Sequence, residues 1–121
     1  MTLTQITTLK EYQTFKNQAI EEKKIFLIKF TASWCGPCRK LAPLVEDIAS
    51  KQADNIIVVE VNVDNAKELC QLFKVQSIPF CVVSGYTSNA NPETKVEQDE
   101  IKGYDPEKLI KVLKSRMPQS N

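Results

Sequence analysis

Ile25-Phe26-Leu27-Ile28-Lys29-Phe30 is apolar at every position except Lys29, so a strand built from it has no face to turn to water. Such a strand must be covered on both sides, which in one domain means a central place in a sheet with helices over each face. A second β-branched run, Ile56 to Val63, has the same requirement, and one buried sheet serves both. At 121 residues the chain is long enough for a single hydrophobic core without metal or disulfide staples, and too short for two. One domain over residues 1–121 is expected.

The remaining elements follow from local pattern. Leu3 to Ile6 is a short strand candidate. Thr8 with Glu11 three residues later is a capping box, and Leu9, Tyr12, Phe15 and Ala19 follow at helical spacing, predicting a helix over Leu9 to Glu22. Cys38, Leu41, Ala42, Val45, Ile48 and Ala49 predict a second, amphipathic helix, with Pro43 inside it expected to cause a kink. Ala66, Leu69, Cys70 and Phe73 mark one face of a short helix. Phe80 to Val83 reads as a fourth strand, Gly85 to Pro92 as a hairpin connection, and Thr94 to Ile101 as a polar edge strand. Asp105-Pro106-Glu107 opens a last helix whose buried face is Leu109, Ile110, Leu113 and Met117. Arg116 to Asn121 reads as a polar tail, flexible from about residue 117.

Between the first buried run and the helical stretch Arg39 to Ser50 stand Trp34-Cys35-Gly36-Pro37-Cys38. A cysteine at a helix start has its sulfur beside unsatisfied backbone N–H groups and the positive end of the helix dipole, which favour thiolate over thiol. The thiolate is the attacking species, so Cys35 is the candidate nucleophile. Cys38 returns to the same helix face, where the two sulfurs can bond without moving the backbone. Pro37 suits a first turn that does not need its N–H, and Gly36 leaves room for an incoming peptide. The chemistry this supports is thiol–disulfide exchange: Cys35 attacks a disulfide on another protein, and Cys38 then attacks Cys35 and releases the reduced target.

Composition removes the competing chemistries. The chain has no histidine, which excludes Ser-His and Cys-His catalysis and His-containing zinc sites. A net charge of +1 leaves no footprint for nucleic acid or an anionic membrane. No run approaches the roughly 18 apolar residues of a membrane span, and no secretory pattern is read at the N-terminus. The expected address is therefore cytoplasmic, where a C-x-x-C pair is catalytic or metal-binding rather than a staple. Cys70, on the apolar face of its helix, and Cys81, in a strand, read as small buried hydrophobes, and the pair lacks the short spacing of a zinc set.

The chain resembles the thioredoxin family in Phe30-Thr31-Ala32-Ser33-Trp34-Cys35-Gly36-Pro37-Cys38-Arg39-Lys40-Leu41-Ala42-Pro43, in Val61-Asn62-Val63-Asp64, in Val75-Gln76-Ser77-Ile78-Pro79 and in Gly103. The resemblance implies an α/β thioredoxin fold, a central mixed five-stranded sheet flanked by four helices. It implies a protein-disulfide reductase with Cys35 as nucleophile and Cys38 as resolving thiol. Trp34, Ile78 and Gly103 would form substrate surface, and Pro79, after a cis bond, would shape the groove. No cofactor of its own is implied, only the redox-active Cys35-Cys38 disulfide, with electrons from NADPH through thioredoxin reductase. The partners would be that reductase and disulfide-containing proteins, and a monomer is expected. A binding or chaperone-like module using the same groove with little turnover is the alternative, and it would survive Cys35→Ser.

One departure stands out. The family usually carries a buried aspartate six residues before the first cysteine, where this chain has Lys29, and often a lysine where this chain has Glu60. The pair would then keep its local charge balance with the signs reversed. Lys29 and Glu60 are expected to form a partly buried ion pair beneath the cysteines, altering the proton relay to Cys38. An ammonium about 6 Å from a sulfur is worth roughly 3 kcal/mol at an effective dielectric of about 20, before Glu60 and desolvation offset it. A neutral lysine acting as base, or one that merely snorkels, would satisfy the same sequence. The stretch from Phe80 to Gly103 is several residues longer than is usual in the family, and Tyr86 in it is a candidate partner contact.

Overall fold

The computed structural model describes residues 3–85 and 98–117. In chain order the elements are β1 (Thr4–Gln5), α1 (Leu9–Glu22), β2 (Ile25–Thr31), α2 (Gly36–Lys51), β3 (Ile56–Asn62), a 3₁₀ turn (Val63–Asn65), α3 (Lys67–Leu72), β4 (Phe80–Gly85), β5 (Gln98–Lys102) and α4 (Pro106–Arg116). The sheet order is β1-β3-β2-β4-β5. β1, β3 and β2 run parallel, and β4 and β5 pair antiparallel, so the sheet is mixed as expected. The predicted hairpin connection beyond Gly85, the start of the fifth strand and Tyr86 lie outside the described residues.

β2 is the central strand, and its alternation divides the core. Phe26, Ile28 and Phe30 face a layer containing Ala19 of α1 and Leu69 of α3. Tyr12 closes this side with ring contacts to Phe26 at 6.1 Å and to Phe73 at 5.3 Å. Ile25 and Leu27 face Leu41 and Val45 of α2 and Leu109 and Leu113 of α4. Lys29 shares the parity of Ile25 and Leu27, and so belongs to the second face. The pleat alone puts it beneath α2.

The helix starts obey local chemistry. Thr8 Oγ1 accepts the Glu11 N–H at 3.1 Å, and Glu11 Oε1 accepts the Thr8 N–H at 3.2 Å, completing the predicted box. Glu11 also accepts the Thr7 N–H, and that bond above all holds its carboxyl below the usual carboxylate value. α2 begins at Gly36, earlier than its apolar periodicity shows, because Cys35 caps it and Pro37 fits its first turn. The helix then runs on through Pro43 to Lys51. β4 ends on Gly85 at φ +100°, where a Cβ would come within 2.7 Å of the Lys24 carbonyl. Only glycine fits that approach.

Two expectations about α4 need correction. Ile110 is partly buried and packs in neither core layer, whereas Val112, also partly buried, packs with Leu109 and Leu113 against the sheet, as the expected Met117 does. The stripe that meets the core is 109, 112, 113 and 116, a helical spacing that leaves residue 110 to one side. Arg116 is therefore not the start of a polar tail. It is buried, its Nε and Nη2 donate to Asp99 Oδ2 at 3.1 and 2.9 Å, and its Nη1 donates to the Gly85 carbonyl at 3.0 Å. One guanidinium thus ties the end of α4 to both strands of the β4-β5 pair. Replacing it leaves a partly buried carboxylate and a carbonyl without these donors. Arg116→Ala should lower the unfolding free energy by about 2–4 kcal/mol, read from urea denaturation with an unchanged m-value.

Candidate active site

β2 stops at Thr31, and the chain turns with the Cys35 N–H donating to the Ala32 carbonyl at 3.2 Å. Cys35 is the N-cap of α2, with extended backbone angles (φ −92°, ψ 108°), and its Sγ accepts the Cys38 N–H at 3.2 Å. The sulfur occupies the place that a serine or aspartate oxygen takes at an ordinary cap. A negative charge there meets an aligned N–H donor and the positive end of a 16-residue helix. Cys35 and Cys38 are joined as a disulfide across this first turn, with Cα atoms 5.3 Å apart.

The two sulfurs differ less in access than the sequence suggests. Cys35 is 5% exposed and Cys38 1%, so the nucleophile is not an open thiol in the disulfide state. The cap itself is the reason. The Cys35 sulfur is turned onto the helix start, and the pair packs with Ala32, Val63 and Ile78. Gly36 and Pro37 beside it are exposed, and a Cβ on Gly36 would meet nothing within 4 Å.

The flanking residues are fixed in place. Trp34 is 65% exposed, which rules out a core role, and its Nε1 donates to Asp64 Oδ2 at 2.9 Å. Asp64 is set in turn by its own N–H, which donates to Asn62 Oδ1 at 2.9 Å. The Ile78-Pro79 bond is cis, as the resemblance implies. Ile78 is half-buried against the cysteine pair, and Pro79 is buried. Gly103 joins this edge, donating its N–H to the Pro79 carbonyl at 2.9 Å from a φ of +79°. Thus Trp34, Ile78-Pro79 and Gly103 are gathered at the disulfide from three separate stretches of chain.

Lys29 and Glu60 are directly paired residues of β2 and β3. Lys29 is 1% exposed, with its Nζ 3.8 Å from Glu60 Oε2 and donating to the Cys38 carbonyl at 3.2 Å. The expected ion pair is therefore present, and it touches the backbone of the second cysteine. Asp64 and Asn62 are the site residues that sequence reasoning missed as site residues. An acidic side chain after a strand reads as an ordinary helix-start residue, and nothing in its spacing points at Trp34.

The other two cysteines are placed differently. Burial pushes the Cys81 thiol up to about 12, against a smaller opposite pull from the charge on Lys29, and burial also raises the Cys70 thiol. Among the described residues no group of three or more His, Cys, Asp or Glu side chains could hold a metal ion. No described helix is long and apolar enough to cross a membrane.

A mixed five-stranded sheet between helix layers, with a disulfide capping the helix after the central strand, defines a thioredoxin-fold protein with a redox-capable cysteine pair. The Thioredoxin family model matches residues 5–115, and the chain belongs to that family. Thioredoxin H5 of Arabidopsis thaliana is 35% identical over 104 residues, covering 86% of this chain and 84% of that one. Thioredoxin 1 of Synechococcus elongatus is 39% identical over 70 residues, 58% of this chain and 65% of the relative. The match to thioredoxin of Alicyclobacillus acidocaldarius, 42% over 66 residues, covers 54% of this chain and 63% of the relative. The chain thus spans less than two thirds of the length of these two bacterial relatives. The crystal structure of Fasciola hepatica thioredoxin superposes with a TM-score of 0.77 at 23% identity, covering 95% of this chain and 100% of that one, a likeness of fold.

The high value of the Cys81 thiol has a pH signature. Its folded value is raised above the ordinary 9.0, so the stability it contributes is complete below about pH 9 and is lost as pH rises toward about 12. Urea midpoints of wild type and Cys81→Val should therefore diverge in slope between about pH 9 and 12, with the variant falling less. Parallel slopes would contradict this.

Proposed function

We propose that the chain is a dithiol–disulfide oxidoreductase that reduces disulfides in target proteins. The observation that carries this reading is the Cys35-Cys38 disulfide closed across the first turn of α2, with the Cys35 sulfur already accepting a backbone N–H. In the reduced protein that N–H and the helix dipole stabilise the Cys35 thiolate, which attacks one sulfur of a target disulfide. A bond forms between Cys35 and the target, and the target's other sulfur leaves as a thiolate that takes a proton from solvent. Cys38, held one helical turn away, then attacks the Cys35 sulfur. The internal disulfide forms, the mixed disulfide breaks, and the second target thiolate departs. Confinement makes this step effectively unimolecular.

The surface roles follow from position. Trp34, held by Asp64, would supply an exposed apolar wall, and Ile78, packed on the cysteine pair, a second surface with backbone groups to which an extended target segment can bond. Pro79 and Gly103 hold that wall by their mutual hydrogen bond.

The oxidised protein needs a donor, and NADPH acting through a thioredoxin reductase is the one we assign. A bifunctional thioredoxin reductase/thioredoxin of Mycobacterium leprae supports this assignment: it is 37% identical over 70 residues, which are 58% of this chain and 15% of that protein. The chain would bind no cofactor itself and would work as a cytoplasmic monomer in electron transport and redox homeostasis. NADPH-driven insulin reduction with a thioredoxin reductase tests the reading. Wild type should turn over, and Cys35→Ser should fall to the uncatalysed rate. An inert wild type, or activity retained in Cys35→Ser, would contradict it.

A further inference from the structure

Lys29 takes no part in the exchange steps above, yet its placement is costly. A buried ammonium gives up most of its hydration, and this one also lies beneath the first turn of α2, where the helix dipole disfavours positive charge. An apolar side chain would suit the surroundings better. The group that gains from a cation here is the thiolate of Cys38, whose carbonyl Lys29 Nζ holds at 3.2 Å.

The charges facing Lys29 can be read element by element. From β3 comes Glu60, its Oε2 at 3.8 Å and so beyond hydrogen-bond distance, half-buried and approached at its other oxygen by Gln5 Nε2 at 3.5 Å. From β4 comes Cys81, neutral at physiological pH because burial pushes its thiol up to about 12. Leu41 and Val45 from α2, Ile101 from β5, and Leu109 and Leu113 from α4 are the apolar neighbours on this face, and Asp99 of β5, which shares the parity of Ile101, is paired with Arg116 of α4. Among the described residues Glu60 is therefore the anion set against Lys29, and it is held off the ammonium and toward water. Of the two charges, the ammonium is the one in contact with Cys38.

Building on the exchange reading, we propose that Lys29 is a positioning residue for the resolving step: a buried ammonium anchored to the Cys38 carbonyl that favours the Cys38 thiolate, with Glu60 as the opposing and weaker charge. Cys38 then needs no side-chain base. It loses its proton to solvent, attacks the Cys35 sulfur of the mixed disulfide, and the target thiolate leaves with the electron pair of the broken bond. The charge works before the attack, by enlarging the fraction of Cys38 able to make it.

The test uses the full chain in a Cys35→Ser background, where Cys38 is the remaining thiol of the pair, and titrates it by NMR of carbon-13-labelled cysteine. Lys29→Met should move the Cys38 pKa upward by about one to two units, and Glu60→Gln should move it downward by a smaller amount. With Cys35 present, resolution of a preformed mixed disulfide at pH 7 should slow about threefold per unit of upward shift in Lys29→Met, the loss of thiolate being partly offset by its greater nucleophilicity, and quicken in Glu60→Gln. A merely structural pair would move both variants in the same direction or neither, and either outcome overturns the proposal. If Lys29→Met fails to fold, Glu60→Gln decides alone, an unchanged or raised Cys38 pKa overturning it. The titration needs no target, so a wild type inert toward insulin would sink the exchange reading while leaving this result to stand separately.

Discussion

β2 pairs with β3 along one edge and, from Ile25 to Phe30, with β4 along the other, and carries a helix layer over each face, so this stretch is held on four sides. That constraint fixes the height at which the strand ends, and with it the point where α2 can start. Cys35 falls at this start because the turn after Thr31 is short. Its sulfur becomes a cap, and the helix dipole is aimed at it by the packing of α2 on Ile25 and Leu27. The redox pair thus inherits its geometry from the most buried element of the fold.

The same strand carries the charge beneath the pair. Because side chains alternate, position 29 lies under α2 and not under α1, and the parallel register with β3 brings Glu60 directly beside it. A buried ion pair of this kind is weak evidence for stability, since hydrophobic replacements are often as stable. Its contact with the Cys38 carbonyl gives it a chemical meaning instead. The site then has two sources of positive potential, the α2 N-terminus at Cys35 and the ammonium at Cys38, one for each step of the exchange.

What could be read from the residues, and what could not, divides by range. The buried character of Ile25 to Phe30, the Thr8-Glu11 box, the Asp105-Pro106 start and the cysteine turn are local patterns, and the structure reproduces them. The family resemblance added the cis Ile78-Pro79 bond, which no spacing could reveal. Arg116 reads as part of a polar tail because a charged side chain suggests water, whereas its partners Asp99 and Gly85 are brought to it only by the folded sheet. Asp64 was passed over for the same reason, since its link to Trp34 crosses 30 residues of sequence. The start of α2 at Gly36 agrees with Cys35 read at a helix start and Pro37 in the first turn, with a sulfur in the capping role usual for oxygen. Arg116 and Asp64 are long-range polar contacts, the class of interaction that hydrophobic periodicity does not encode.

The central claim is that Cys35 joins the target and Cys38 releases it. Cys38→Ser leaves the attacking sulfur at its cap and removes the resolving one, so it separates the two roles in one measurement. Incubated with a disulfide-containing protein and analysed by mass spectrometry without reductant, this variant should accumulate a covalent adduct linked through Cys35. An adduct linked through Cys70 or Cys81, or no adduct at all, would contradict the account.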